Sequence, residues 1–155
     1  MKDKINIGFI GAGNLGRHAI LGLIDSYEIN VSDPMQNQEI LSLGITYISI
    51  EELCKNSDVI FLTIKPNISE EILSKVSDYI DDKLIISFIA GMSLKKLEKL
   101  LSSKNIIRAM PSLGISNGLS PIAVCSNHGV EISSGEKILN KLGRCMEIEE
   151  SKFDA

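Results

Sequence analysis

Ten residues near the start of the chain, IGFIGAGNLG at positions 7–16, leave little choice of fold. The apolar, β-branched run Ile5–Ile10 reads as a strand, and Gly11-x-Gly13-x-x-Gly16 breaks it into a tight turn. Helical spacing of Leu15, Ala19 and Leu23 follows immediately, so strand, glycine turn and helix come in direct succession. A unit of this kind must bury both faces of its strand, which calls for more strands alongside and helices above and below.

The rest of the chain supplies them. Further apolar runs fall at Ile29–Val31, Ile45–Ile48, Val59–Ile64, Leu84–Ile89, Ile106–Ala109, Pro121–Cys125 and Cys145–Ile148. Helix-sized stretches separate most of them, one with Leu94, Leu97 and Leu101 on a single face. Asn67-x-x-Glu70 and Ser133-x-x-Glu136 resemble capping boxes, and Asp33-Pro34 reads as an N-cap with proline at the first helical position. The expected fold is α/β, a doubly wound, mostly parallel sheet in one domain over residues 1–155. No repeat, low-complexity tract or linker divides it, and SLGISNGLS (112–120) reads as a functional loop.

Composition excludes several functions. Hydrophobic residues make up 44% and charged residues 23%, with a formal net charge of −4, so neither nucleic acid nor an anionic membrane is an expected partner. The apolar run Leu84–Leu94 is too short to span a bilayer. Cys54, Cys125 and Cys145 lack metal-ligand spacing and read as reduced structural thiols, which points to the cytoplasm. His18 and His128 have no neighbouring acid and nucleophile, and the terminal acids Glu147, Glu149, Glu150 and Asp154 lack the spacing of a metal site. No catalytic residue and no metal ligand is assigned.

The glycine turn carries chemistry of its own. Gly11 allows the turn, Gly13 allows backbone to approach a pyrophosphate, and Gly16 lets the helix pack close to the strand. The free N–H groups of the helix's first turn then face the phosphates. Asp33 follows Gly11 by about 20 residues, the spacing of a carboxylate that grips the adenosine ribose. A carboxylate there repels a 2′-phosphate, and no arginine or lysine lies between Asp33 and Lys55. The charge pattern therefore favours NAD(H) over NADP(H), with either dinucleotide admitted by the glycine turn.

In order along the chain, IGFIGAGNLG, VSDP, SDVIFLTIKP, IISFIAGMSLKKLEKLL, IIRAMPSLG and LGRCMEIEES resemble the N-terminal cofactor domain of the pyrroline-5-carboxylate reductases. The resemblance covers essentially all 155 residues. It implies a Rossmann-type dinucleotide-binding fold and hydride transfer from a nicotinamide to the C=N carbon of a small imine, giving proline. Carried over by position, Ile10, Gly11, Ala12, Gly13, Asn14, Leu15 and Gly16 wrap the pyrophosphate. Ser32 and Asp33 lie beside the adenosine ribose; Thr63, Ile64, Lys65 and Pro66 pass the cofactor's middle; Phe88, Ile89 and Ala90 reach the nicotinamide end. Lys65 meets a ribose hydroxyl or phosphate, or is a solvated lysine before a turn.

The sequence departs from the family in four places. Ser112-Leu113-Gly114 stands where Asn-Thr-Pro is usual near the reacting ring, and Ile50 replaces an asparagine near the ribose. Phe88 and Ile89 replace small residues, and either crowd the nicotinamide pocket or pack in the core. The family's helical dimerisation domain, with its substrate loop, is expected to begin at about EESKFDA (149–155). The chain is therefore expected to be the cofactor domain alone, inactive without a second domain, a homo-oligomeric mate or a helical partner subunit. The alternatives are a non-catalytic dinucleotide-binding or sensing module, and the cofactor subunit of another reductase.

Overall fold

The computed structural model describes residues 4–80, 83–103, 105–111, 115, 117–127 and 132–153. Seven strands form one sheet: β1 (Asn6–Ile10), β2 (Glu28–Ser32), β3 (Val59–Leu62), β4 (Leu84–Ser87), β5 (Ile106–Met110), β6 (Ser120–Ser126) and β7 (Gly143–Glu147). Their order across the sheet is β2-β1-β3-β4-β5-β6-β7. All neighbours are parallel except β5 and β6, which run antiparallel. The helices are α1 (Asn14–Leu23), α2 (Gln38–Ser42), α3 (Ile50–Asn56), α4 (Pro66–Val76), α5 (Leu94–Leu101) and α6 (Ser133–Leu139).

Strands that are apolar on both faces produce two cores. One packs Ile7, Phe9, Val31, Phe61, Ile86 and Ile107 against Ala19, Ile20 and Leu23 of α1 and Ile138 and Leu139 of α6. The other packs Ile10, Ile60, Leu62, Ile85 and Ile106 against α3, α4 and α5. Leu94, Leu97 and Leu101 are the buried face of α5, as their spacing predicts. Helices cover both faces of a parallel sheet, so the doubly wound reading holds.

Three local expectations fail, each for a physical reason. Ile45–Ile48 is not a full strand. It makes one parallel bridge, Tyr47 to Val31, outside β2. Gly44 at φ +86° turns the chain out of α2, and the Ser49 hydroxyl accepts the Glu52 N–H to open α3, so few residues remain to pair. No helix starts at Asp33-Pro34: α2 begins at Gln38, capped by the Asn37 side chain. The supposed capping boxes are also displaced. Pro66 opens α4 with Lys65 as its N-cap, while Glu70 pairs with Lys96 of α5; that ammonium holds the Glu70 carboxyl below its ordinary pKa. Ser133 lies inside α6, whose N-cap is Ile132.

The far edge is tied down by a buried cation. Arg108 of β5 is only 2% exposed. Its guanidinium lies 3.1 Å from Glu150 Oε2 and 4.8 Å from the centre of the Phe153 ring. The same Glu150 oxygen accepts the Leu94 N–H at 2.6 Å, so one carboxylate joins β5, the start of α5 and residues 150–153. Removing it takes one carboxylate partner from a buried guanidinium and one acceptor from the Leu94 N–H. Glu150→Ala is expected to lower stability by about 2 kcal/mol in urea unfolding; Lys55→Ala, at an exposed pair with Glu51, is expected to stay within about 0.5 kcal/mol.

Candidate functional site

The chain leaves β1 for β2 on one side and then crosses to β3 on the other. The winding reverses at β1 and β3, and an open α/β sheet binds its ligand in the crevice beyond the carboxyl ends of the strands at such a switch point. The glycine turn after β1 and the segment after β3 meet there. Gly11 N–H donates to the Ser32 carbonyl at 2.9 Å, and Thr63 N–H donates to the Ile10 carbonyl at 3.0 Å. The Thr63 hydroxyl also donates a short bond to the Gly11 carbonyl.

The three glycines fall into two kinds. Gly11 sits at φ +91°, and a Cβ on it would lie 2.9 Å from the Thr63 carbonyl oxygen. A Cβ on Gly16 would lie 2.6 Å from Thr63 Oγ1 and 3.0 Å from the Gly11 carbonyl oxygen. Packing against Thr63 therefore accounts for both. Gly13 is otherwise: its φ of −72° suits any residue, and a Cβ on it would meet nothing within 4 Å. It is the N-cap of α1 and provides no side-chain cap, so among the described residues no side chain caps the first-turn N–H groups of α1. Bare backbone donors beside open space are what a pyrophosphate requires.

Asp33 does not cap a helix. Its Oδ2 accepts the Ala12 N–H at 2.8 Å and its Oδ1 accepts the Met35 N–H at 2.8 Å. These bonds lock the carboxylate beside the glycine turn at the end of β2. A carboxylate offers about four acceptor positions, so a ribose diol can still be gripped. The Ala12 N–H is thereby committed to Asp33, which leaves the donors for phosphate to the first turn of α1.

The remaining predicted residues divide by what faces the crevice. Ile10, Ile64, Phe88 and Ile89 are buried. The Phe88 ring lies edge-on to Phe61 at 5.4 Å, and Phe61 stacks on Phe9 at 4.8 Å. Phe88 and Ile89 therefore pack in the two cores, and at this end of the sheet Ile10 and Ile64 have only backbone to offer. Lys65 is exposed and Ala90 is exposed at the end of the β4 connection; Ser32 and Thr63 are half-buried. Ile50 is half-buried against the second core. Residues Ser112–Gly114 and His128 lie outside the described residues.

Two side chains at this site escape a motif search. Arg17 on α1 reaches Asn14 Oδ1 at 3.1 Å and Glu39 Oε1 at 2.5 Å. It also donates to His18 Nε2 at 3.2 Å. Neither Arg17 nor Glu39 belongs to the glycine fingerprint; the signal was that Arg17 is the sole arginine or lysine between Lys4 and Lys55.

Among the described residues no group of three or more His, Cys, Asp and Glu side chains gathers as a metal site, and no helix is long and apolar enough to cross a membrane. The cysteines are free. Burial pushes the Cys54 thiol up to about 11 against the opposing pull of Lys83. Burial and the Glu136 carboxylate push Cys145 up to about 11. Neither is a thiolate nucleophile near neutrality.

Comparison with known proteins agrees with this fold. The family model described as "NADP oxidoreductase coenzyme F420-dependent" matches residues 6–91. The chain belongs to this family. The similarity extends over nearly the whole chain to the N-terminal dinucleotide-binding part of the pyrroline-5-carboxylate reductases. The chain is 34% identical to that of Aquifex aeolicus over 161 residues, covering 97% of this chain and 60% of that protein. With the Synechocystis reductase it shares 27% identity, covering 98% and 61%. The crystal structure of the Plasmodium falciparum pyrroline carboxylate reductase with NADP bound superposes with a TM-score of 0.86 at 28% identity, covering 97% of this chain and 60% of that one. A Myxococcus stipitatus imine reductase variant, solved with NAD+, shares the fold at a TM-score of 0.82 and 17% identity. The chain thus spans about three-fifths of the length of these family relatives, and its fold is the Rossmann-type dinucleotide-binding fold. The cofactor class is a nicotinamide dinucleotide.

The unequal glycines can be told apart by stability alone. Gly11→Ala is expected to cost about 2–4 kcal/mol through strain and overlap with Thr63. Gly13→Ala is expected to cost under about 1 kcal/mol. Urea unfolding of both variants checks this. Because folding raises the pKa of Cys54 and Cys145 from 9.0 to about 11, their contribution to stability is intact below pH 9. It is expected to fall as pH rises from 9 towards 11, which the urea midpoint over that range measures.

Proposed function

We propose that this chain holds a nicotinamide dinucleotide, NADH ahead of NADPH, across the crevice at the carboxyl ends of β1 and β3, and serves a reductase of small cyclic imines. The observation that carries the reading is Gly13, a glycine required by neither its backbone angles nor its neighbours. Glycine is an acceptable N-cap in its own right, and its lack of a side chain here also leaves the backbone open to close approach by a ligand.

In this reading the first-turn N–H groups of α1 donate to the pyrophosphate, with the positive helix end behind them. Asp33, locked by the Ala12 and Met35 N–H groups, accepts the adenosine ribose hydroxyls and repels a 2′-phosphate. Ser32 flanks it. Thr63 to Pro66 run along the cofactor's middle, with Lys65 the exposed cation there. Backbone at Phe88–Ala90 lies nearest the nicotinamide, while the Phe88 and Ile89 side chains stay in the core and hold that backbone in place. The dinucleotide, when bound, supplies a hydride, and by likeness to the relatives the acceptor is the C=N carbon of pyrroline-5-carboxylate. Hydride transfer needs donor and acceptor held in near-attack geometry, so we assign the acceptor's enclosure to a helical segment or subunit beyond these 155 residues, working in the cytoplasm.

Calorimetric titration of the chain with NADH and with NADPH at one salt concentration tests binding. Saturable binding with NADH the tighter is expected; tighter NADPH would remove the role given to Asp33. Gly13→Ala is expected to weaken NADH by about tenfold while the protein stays folded. Proline formation from pyrroline-5-carboxylate and NADH by the 155-residue chain is expected to be negligible. Robust turnover by that chain would contradict the assignment of the acceptor's enclosure elsewhere. A non-catalytic binding module, which Ser112-Leu113-Gly114 in place of Asn-Thr-Pro favours, predicts no turnover even when a helical partner is added.

A further inference from the structure

The Arg17–Glu39 pair bridges the first two helices at the rim of the crevice. The Arg17 guanidinium spans from Asn14 Oδ1, on the first residue of α1, to Glu39 Oε1, in the first turn of α2. The chain runs from Asp33 through Asn37 into α2, so one loop is tied twice: at its base by Asp33 to the Ala12 N–H, and at its rim by Glu39 to Arg17. Both ties lie beside the place assigned to the adenosine ribose. A 2′-phosphate bound there needs a cation, and arginine is the usual one because its fork matches phosphate oxygens. The β1–α1–β2 unit offers one candidate, since Arg17 is the sole arginine or lysine from residue 5 to residue 54.

We infer that the Arg17–Glu39 ion pair is a specificity device of this chain: Glu39 occupies the one cation that could receive a 2′-phosphate, and so excludes NADPH in favour of NADH. The inference rests on the dinucleotide reading above and adds a residue pair outside the glycine fingerprint. The Arg17 side chain is 25% exposed and that of Glu39 49%, so the pair is open to an incoming phosphate and can be broken by one. With Glu39 in place, a 2′-phosphate meets two carboxylates, Asp33 and Glu39, and an arginine already neutralised. Without Glu39 the same phosphate meets a free guanidinium against one carboxylate. NADH, which offers only hydroxyls to Asp33, is affected little by the change.

The test compares the wild-type chain, Glu39→Gln and the double variant Arg17→Met with Glu39→Gln, each titrated calorimetrically with NADH and NADPH. Glu39→Gln keeps the side-chain shape and removes the charge; it is expected to raise the NADPH-to-NADH affinity ratio by about tenfold. NADH affinity is expected to change less than about threefold, and the double variant to return the ratio to its wild-type value. NADPH binding to Glu39→Gln is also expected to weaken more steeply with salt than NADH binding does. An unchanged ratio in Glu39→Gln overturns the inference, and so does a gain that survives removal of Arg17. Absence of heat from wild type with either dinucleotide overturns the binding reading first and this inference with it. Binding by wild type without the shift overturns this inference alone. A thermal melt of each variant confirms that the folded chain is being compared.

Discussion

Thr63 packs against the glycine turn, and much of the site depends on that contact. Thr63 donates its hydroxyl to the Gly11 carbonyl and stands where a Cβ on Gly16 would be. This pulls the start of α1 down onto β3, so the helix opens directly over the crevice between two central parallel strands. If the helix stood off by the width of a methyl group, its first N–H groups would lose their aim. Thr63 also links the first core face to the crevice, because it follows the buried β3 strand residues Phe61 and Leu62. Stability and ligand geometry thus meet at one residue.

Work is divided along the same edge between side chains and backbone. Ile10, Ile64, Phe88 and Ile89 spend their side chains in the cores, and what they leave at the crevice is main chain. Main-chain donors and acceptors at this edge are insensitive to which side chain each residue carries. In the proposed reading, selectivity falls to the few side chains that remain: Asp33, Lys65, Arg17 and Glu39. At the opposite edge Arg108 plays a comparable organising part, using Glu150 to join β5 to α5 and residues 150–153.

The parts legible in the sequence were those set by long-range pattern. Runs apolar on both faces announced the parallel strands, and Leu94, Leu97 and Leu101 announced the inner face of α5, because burial repeats with the period of the element. Gly11 and Gly16 were legible as a turn and a close approach, though not their common cause in Thr63, which lies about 50 residues away. Local end signals served worse. Asp33-Pro34 looked like a helix start, but its carboxylate was better used by Ala12, a partner no local motif reveals. Asn67 was preceded by Pro66, which already opens α4, and Ser133 lies inside α6, whose N-cap is Ile132. Ile45–Ile48 had strand chemistry without the length to pair. The Arg17–Glu39 bridge joins two helices whose relative placement only the folded sheet fixes.

The central claim is that the first turn of α1, bared by Gly13, receives the dinucleotide's phosphates. The most direct measurement is the backbone amide NMR spectrum of the chain during titration with NADH. The largest shifts are expected at Gly13, Asn14, Leu15 and Gly16, with smaller ones at Asp33 and Ala90. Shifts absent from the Gly13–Gly16 amides, or concentrated instead around Lys95 and Lys99 of α5, would contradict it.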